Sequence, residues 1–111
     1  MNMTPKQIKE MIESTGLKTA YLQFPVGNAP DLPYTVYYFP GSNDFNADNI
    51  NFQSINRLNV ELYTKEKDFA TEALLRSAFN NAGLSYEITE DYLKSEKMYE
   101  VLFEMEVFIN G

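Results

Sequence analysis

The 111-residue sequence contains no cysteine, no histidine and no tryptophan. Without cysteine there is no disulfide framework, no thiolate nucleophile and no Cys-based zinc or iron–sulfur site. Without histidine the usual general base near neutral pH and the commonest metal ligand are both missing. Ser-His-Asp and Cys-His arrangements are therefore excluded within one chain. Cationic residues are also scarce: 9 Lys and Arg stand against 16 Asp and Glu, a net charge of −7. That balance argues against a nucleic-acid binder, which must neutralise phosphates, and against docking on an anionic membrane. No stretch approaches the roughly 20 apolar residues of a membrane span. Met1 to Lys6 leads into no apolar run, so no signal peptide is expected.

What is present is ordinary globular material. Hydrophobic residues make up 44% and charged residues 23%, and the length suits one domain spanning residues 1–111 with a core that needs no staples. The expectation is a soluble acidic protein with no enzymatic activity, no cofactor and no metal.

The hydrophobic period changes several times along the chain. Thr4 caps a helix, Pro5 suits its first position and Gln7 completes a capping box. Ile8, Met11 and Ile12 form its apolar stripe, and Gly16 closes it. Thr19 to Phe24 reads as a strand, followed by a loop punctuated by Pro25, Gly27, Asn28, Pro30 and Pro33. Tyr34 to Phe39 is β-branched and aromatic, a strong strand that Pro40-Gly41 should stop. Ser42 to Asn51 is Asn/Asp-rich and reads as an exposed excursion. In Ile55–Tyr63, Leu58, Val60 and Leu62 point one way and Arg57, Asn59 and Glu61 the other. Residues 65–82 predict a second helix with Phe69, Ala70, Ala73, Leu74, Ala78 and Phe79 as its apolar face, ended by Gly83. Leu84, Tyr86 and Ile88 alternate in another strand, and 90–97 reads as a polar turn. A final strand carries Tyr99, Val101, Phe103, Met105, Val107 and Ile109 on one face and Glu100, Glu104 and Glu106 on the other.

The order α-β-β-β-α-β-β suits an α+β two-layer sandwich: a mostly antiparallel sheet with two helices on one face. The second face is then wet and acidic, bearing Glu61, Glu87, Glu104 and Glu106. Leu102 and Phe108 share that face, a hint that a partner covers part of it.

Three motifs invite chemical readings, and each has a plainer one. Asp44-Phe45-Asn46-Ala47-Asp48-Asn49 matches the first half of an EF-hand calcium loop, where alternate oxygens converge on one cation. Asn49 replaces the required glycine and Ile55 the bidentate glutamate, so a solvated turn fits better. Glu104 and Glu106 lie on one strand face about 7 Å apart. Such carboxylate pairs hydrolyse glycosides when a cleft separates their pKa values, but a solvated sheet face is simpler. Tyr34, Tyr37, Tyr38 and Phe39 resemble a base-stacking platform. They lack cationic neighbours, and strand packing with alternate rings in the core explains them. The remaining features are those of an interface: sheet edges, exposed aromatics, a long polar loop and a one-sided acidic surface.

Three segments carry a family likeness. They are Tyr34-Thr35-Val36-Tyr37-Tyr38; Asn46 to Ser54 running on into Val60-Glu61-Leu62-Tyr63-Thr64-Lys65-Glu66-Lys67-Asp68; and Ser95-Glu96-Lys97-Met98-Tyr99. Together with the element order, these resemble the tail-terminator, tail-completion or head–tail joining proteins of long-tailed phages and prophages of Gram-positive bacteria. The resemblance implies a tail-terminator-like α+β fold and a homo-oligomeric ring, commonly a hexamer. Such a ring sits in the virion, at the head-proximal end of the tail tube, between the major tail tube protein and the head's connector proteins. DNA would be passing cargo, not a bound ligand. In this setting Glu61, Glu104 and Glu106 become candidate lumen-facing carboxylates, and Asp44, Phe45, Asn46, Asp48 and Asn49 a candidate interface loop. The alternative is an acidic phage-encoded inhibitor that mimics DNA charge and blocks a host protein.

Overall fold

The computed structural model describes residues 2–44 and 54–109. The elements are β1 (Asn2–Met3), α1 (Pro5–Glu13), β2 (Lys18–Tyr21), β3 (Tyr34–Asp44), β4 (Ser54–Thr64), α2 (Phe69–Asn81), β5 (Tyr86–Leu93) and β6 (Met98–Ile109). This is the expected α+β order with one addition, the two-residue β1 ahead of the first helix.

α1 forms where its capping residues allow. The Gln7 amide donates to Thr4 Oγ1 at 3.1 Å, and the Thr4 amide donates to Gln7 Oε1 at 2.9 Å. The two bonds satisfy donors that the first turn leaves open. Ile8, Met11 and Ile12 are buried on one side. Gly16, at φ +82°, takes the left-handed position that lets the chain turn back toward β2.

The sheet is built on β6. Along its whole length β6 pairs antiparallel with β4, from Ser54↔Ile109 to Thr64↔Tyr99. A strand has two edges, so β5 and β1 share the other one. β5 pairs antiparallel from Tyr86↔Met105 to Leu93↔Met98, and β1 pairs parallel at Asn2↔Phe108 and Met3↔Ile109. Beyond β4 lie β3, antiparallel, and then β2, parallel to β3. The sheet is thus mixed, with its three longest ladders antiparallel.

Alternation sends Leu58, Val60, Leu62, Val101, Phe103 and Val107 to one face, where all are fully buried. Ile8, Met11 and Ile12 of α1 and Leu75 and Phe79 of α2 close over them in one core cluster. Phe79 meets Tyr86 and Phe103 in edge-on ring contacts at 5.5 and 5.3 Å. Burying a ring of this kind stabilises by about 2–3 kcal/mol.

Several boundaries differ from the sequence reading. β3 does not stop at Pro40-Gly41 but continues to Asp44. The ladder with β4 shifts register between Tyr38 and Gly41, and a proline tolerates a bulge because it has no N–H to give the ladder. β2 ends at Tyr21 because Leu22 takes a positive φ of 69°. β5 runs to Leu93, leaving only residues 94–97 for the turn. α2 begins at Phe69, not at 65, because Asp68 caps it: its Oδ1 accepts from the Thr71 amide at 3.0 Å and its Oδ2 from the Thr71 hydroxyl at 2.6 Å. Those bonds hold the Asp68 carboxyl below the usual carboxylate range.

The buried face of α2 also differs. Leu75 and Phe79 are buried as part of a stripe that includes Glu72, while Phe69 and Leu74 are exposed. Glu72 can face inward because Lys67 Nζ meets it at 2.8 Å. The same ammonium pairs with Glu90 of β5 and lies 4.7 Å above the Phe69 ring. The bonds to Glu72 and then Glu90 raise the Lys67 pKa, keeping it charged. Lys67 therefore ties the start of α2 to β5.

Replacing Phe103 by Ala should cost about 3–5 kcal/mol of unfolding free energy. Val26→Ala, at 97% exposure, should change it by less than about 0.5 kcal/mol. Lys67→Met should cost about 2 kcal/mol, because it leaves the Glu72 carboxylate buried without its partner. Adding Glu72→Gln to Lys67→Met should recover most of that loss. Urea unfolding of the four variants checks each value.

Candidate functional site

The face of the sheet away from the helices holds the acidic residues in registered rows. In one row Arg57 stands opposite Glu106. In the next, Tyr38, Asn59, Glu104 and Glu87 run across β3, β4, β6 and β5. Val36, Glu61, Leu102 and Thr89 form the third row, and Tyr34, Tyr63, Glu100 and Asp91 the fourth. Glu61, Glu104 and Glu106 therefore share one face, as the sequence alternation requires. Of the candidate loop, Asp44 ends β3, while Phe45, Asn46, Asp48 and Asn49 lie outside the described residues, as does most of the partial calcium motif.

The three carboxylates differ in setting. Glu106 is exposed, and Arg57 stands opposite it in the β4–β6 register. Glu104 is half-buried and lies directly across from Glu87, a like-charge pairing that disfavours the isolated sheet. With Arg57, Ser85 and Phe108 these residues line an open groove beside the start of β5.

Glu61 is held most closely. The Tyr63 hydroxyl lies 2.9 Å from Glu61 Oε1 and 3.0 Å from Glu100 Oε2. Tyr38 donates to Glu61 Oε2 at 3.5 Å, and Asn59 Nδ2 donates to the Tyr38 oxygen at 3.3 Å. A hydroxyl has one hydrogen to give, so Tyr63 cannot donate to both carboxylates. It serves Glu61 or Glu100 at any one time, so two carboxylates share one donor. Burial raises the Glu61 pKa, and the charge of Glu100 raises it further, against the lowering effect of the Tyr63 and Tyr38 hydrogen bonds. Tyr63 is pushed up as well, first by burial and then by the charge of Glu61, and stays protonated at neutral pH.

One end of this face is apolar. Val36 is 4% exposed although it lies on the acidic side. Phe24 packs edge-on against Tyr34 at 5.2 Å, and Tyr34 against Tyr63 at 5.3 Å. The face is thus graded from an aromatic end at Tyr34 and Tyr63 to a charged end at Glu104 and Glu106. Tyr37, by contrast, lies in the core, in line with the expected alternation of rings. Among the described residues no three acidic side chains are placed to hold a metal ion.

The sequence reading placed Tyr63 and Glu100 but did not join them. The signal was there: both fall out of phase with the apolar positions of their strands, so antiparallel pairing brings them to one face. Nothing local marked Glu72 as buried except its i, i+3 spacing to Leu75.

No known family model matches this sequence, and no curated protein matches it. Its fold is similar to that of a chain in a solved structure described as the virion of a native gene transfer agent particle. The TM-score is 0.55 at 14% identity, over 90% of this chain and 84% of that one. The likeness concerns the fold.

Because the folded Glu61 pKa lies above its unfolded value, its favourable contribution is complete below the unfolded pKa. It is lost as pH rises through the folded pKa. Glu61→Gln should therefore leave stability nearly unchanged at pH 4 and raise it at pH 7. The gain should be on the order of 0.5 kcal/mol, modest because the group is only half-buried. Tyr63→Phe should do the opposite at pH 7, removing the donor between two carboxylates. Urea titrations at the two pH values test both.

Proposed function

We propose that this chain is a virion structural protein of a tailed phage or phage-like particle. In this reading it caps the head-proximal end of the tail tube as a ring, commonly a hexamer, and joins tail to head. The observation that carries the proposal is the fold shared over most of the chain with a protein of a gene transfer agent virion. The three sequence segments and the element order that resemble tail-completion proteins point the same way. The neighbours would be the major tail tube protein and the head's connector proteins.

The acidic face suits such a post. DNA must run through the bore without adhering, and carboxylates repel phosphate where Lys or Arg would hold it. We assign Glu104 and Glu106 to the lumen with Glu61 behind them, half-buried and hydrogen-bonded to Tyr63 and Tyr38. The stretch containing Asp44, Phe45, Asn46, Asp48 and Asn49 is assigned to contact with tube or connector, its short polar side chains suiting adaptable hydrogen bonding. The protein acts by assembly and has no reactive centre in this reading. An inhibitor that mimics DNA charge would need carboxylates free along a phosphate-like path. Glu61 and Glu100 are instead engaged by Tyr63, and Glu106 faces Arg57.

Particles grown without the protein should show unjoined heads and tails of irregular length by electron microscopy; intact infectious particles would refute the role. With Glu104→Lys and Glu106→Lys together, particles should assemble but release DNA more slowly, on the order of tenfold. Unchanged release kinetics would remove the lumen assignment and leave the joining role standing.

A further inference from the structure

Both lateral edges of the sheet are open among the described residues. On one side, β5 pairs with β6 through eight residues with no register shift, and no described strand pairs its outer edge. That edge carries no proline, glycine or lysine to blunt it. Its charged residues, Glu87, Glu90 and Asp91, are all acidic, so this straight edge is guarded against a second acidic strand and open to one that carries a cation. On the other side, β2 covers only Tyr34–Tyr37 of β3, and its own outer edge is unpaired among the described residues.

We propose, building on the ring reading above, that the β5 edge of one copy pairs with the β2 edge of the next. The sheet then continues from subunit to subunit. Topology decides the geometry. β4 and β5 both run opposite to β6; β3 runs opposite to β4 and β2 runs with β3. β2 and β5 therefore point in opposite directions. A rotation that repeats the sheet edge to edge, faces kept, joins them antiparallel, as a regular ladder requires. The contact is heterologous, so it propagates and can close as a ring.

Side chains favour this match over its rivals. β5 exposes Glu87 and Asp91, while β2 exposes Lys18, and all three lie on the carboxylate face. A two-fold β5–β5 contact would instead set Glu87 and Asp91 of one copy near those of the other, which is unfavourable. On the helix-covered face each edge carries an exposed aromatic: Tyr92 on β5, 44% exposed, and Tyr21 on β2, 53% exposed beside Tyr37 and Phe39. Joining the edges covers both rings. It also keeps Glu61, Glu104 and Glu106 on one side of the ring wall in every subunit.

The test uses the absence of cysteine, since every disulfide found is then engineered. Ala20→Cys is combined in turn with Glu87→Cys, Thr89→Cys and Asp91→Cys, all on the carboxylate face, so the three chains sample three registers. Far-UV circular dichroism confirms that each variant keeps the parent fold. After oxidation of the concentrated full-length protein, at least one double variant should lose its monomer band to a ladder ending at the closed ring. Each single variant should remain monomeric in denaturing gels. Annuli in negative stain without a ladder from any double variant would overturn the edge pairing and leave the ring reading intact. A cross-linked dimer from Thr89→Cys alone would show β5 meeting β5 and would also overturn it. Protein that forms neither annuli nor cross-links at any concentration counts against the ring itself.

Discussion

The β4–β6 ladder is the constraint on which the rest of the molecule depends. All 11 residues of β4 pair with β6 without a register shift. That pairing commits Leu58, Val60 and Leu62 to the same side as Val101, Phe103 and Val107, and it commits the carboxylates to the other. A slip of one residue would carry the whole apolar set to water and Glu61 toward the helices. Register here is fixed by burial, because the helices have one apolar stripe each and only one face of the sheet can receive them. The acidic face is thus a consequence of how the core is packed before it is anything else.

Much of this was legible in the sequence because the signals were local and redundant. The alternation in Ile55–Tyr63 and Tyr99–Ile109 named the buried face of both central strands, and Thr4, Pro5 and Gln7 named the start of α1. Gly83 marked the end of α2 and takes φ +73° there. What escaped depended on distant partners. β1 exists because Asn2 and Met3 find the end of β6 more than a hundred residues later. β3 passes Pro40 because β4 continues beside it and absorbs the irregularity as a register shift. The rotation of α2 that exposes Phe69 and buries Glu72 rests on Lys67, outside the helix, and on Glu90, in another strand. Helical periodicity alone favoured Phe69 because it counted hydrophobicity and could not count a buried ion pair.

The site shows the same division. Sequence alternation placed Glu61, Glu104 and Glu106 on a common face but treated them as equivalent. Their differences come from cross-strand neighbours. Arg57 lies opposite Glu106, Glu87 opposite Glu104, and the Tyr63 hydroxyl reaches Glu61 from two residues along the same strand. The sequence does hold each of these residues, yet their effect on charge follows only from register. Around Glu61 the carboxylates are tied to tyrosine hydroxyls, whereas Glu104 and Glu87 stand opposite one another.

That uneven charge bears on why such a face would persist. In an isolated subunit Glu104 opposite Glu87 gains nothing and costs some stability. Selection for stability alone would replace these residues with neutral ones, since exposed like-charge pairs are easily relieved. Their presence is easier to understand if the field matters to something outside the chain. Screening confines an exposed charge to about 8–10 Å, so single carboxylates act only on what passes close by. In the ring we propose, the Glu104–Glu87 pair would repeat around a narrow bore. There the low-dielectric wall focuses the field, and every position along a transiting polyanion meets the same repulsion. On that proposal a charge pattern unfavourable in one copy becomes useful in the assembly. The charge pattern and the open sheet edges thus support one and the same proposal, a working unit larger than one subunit.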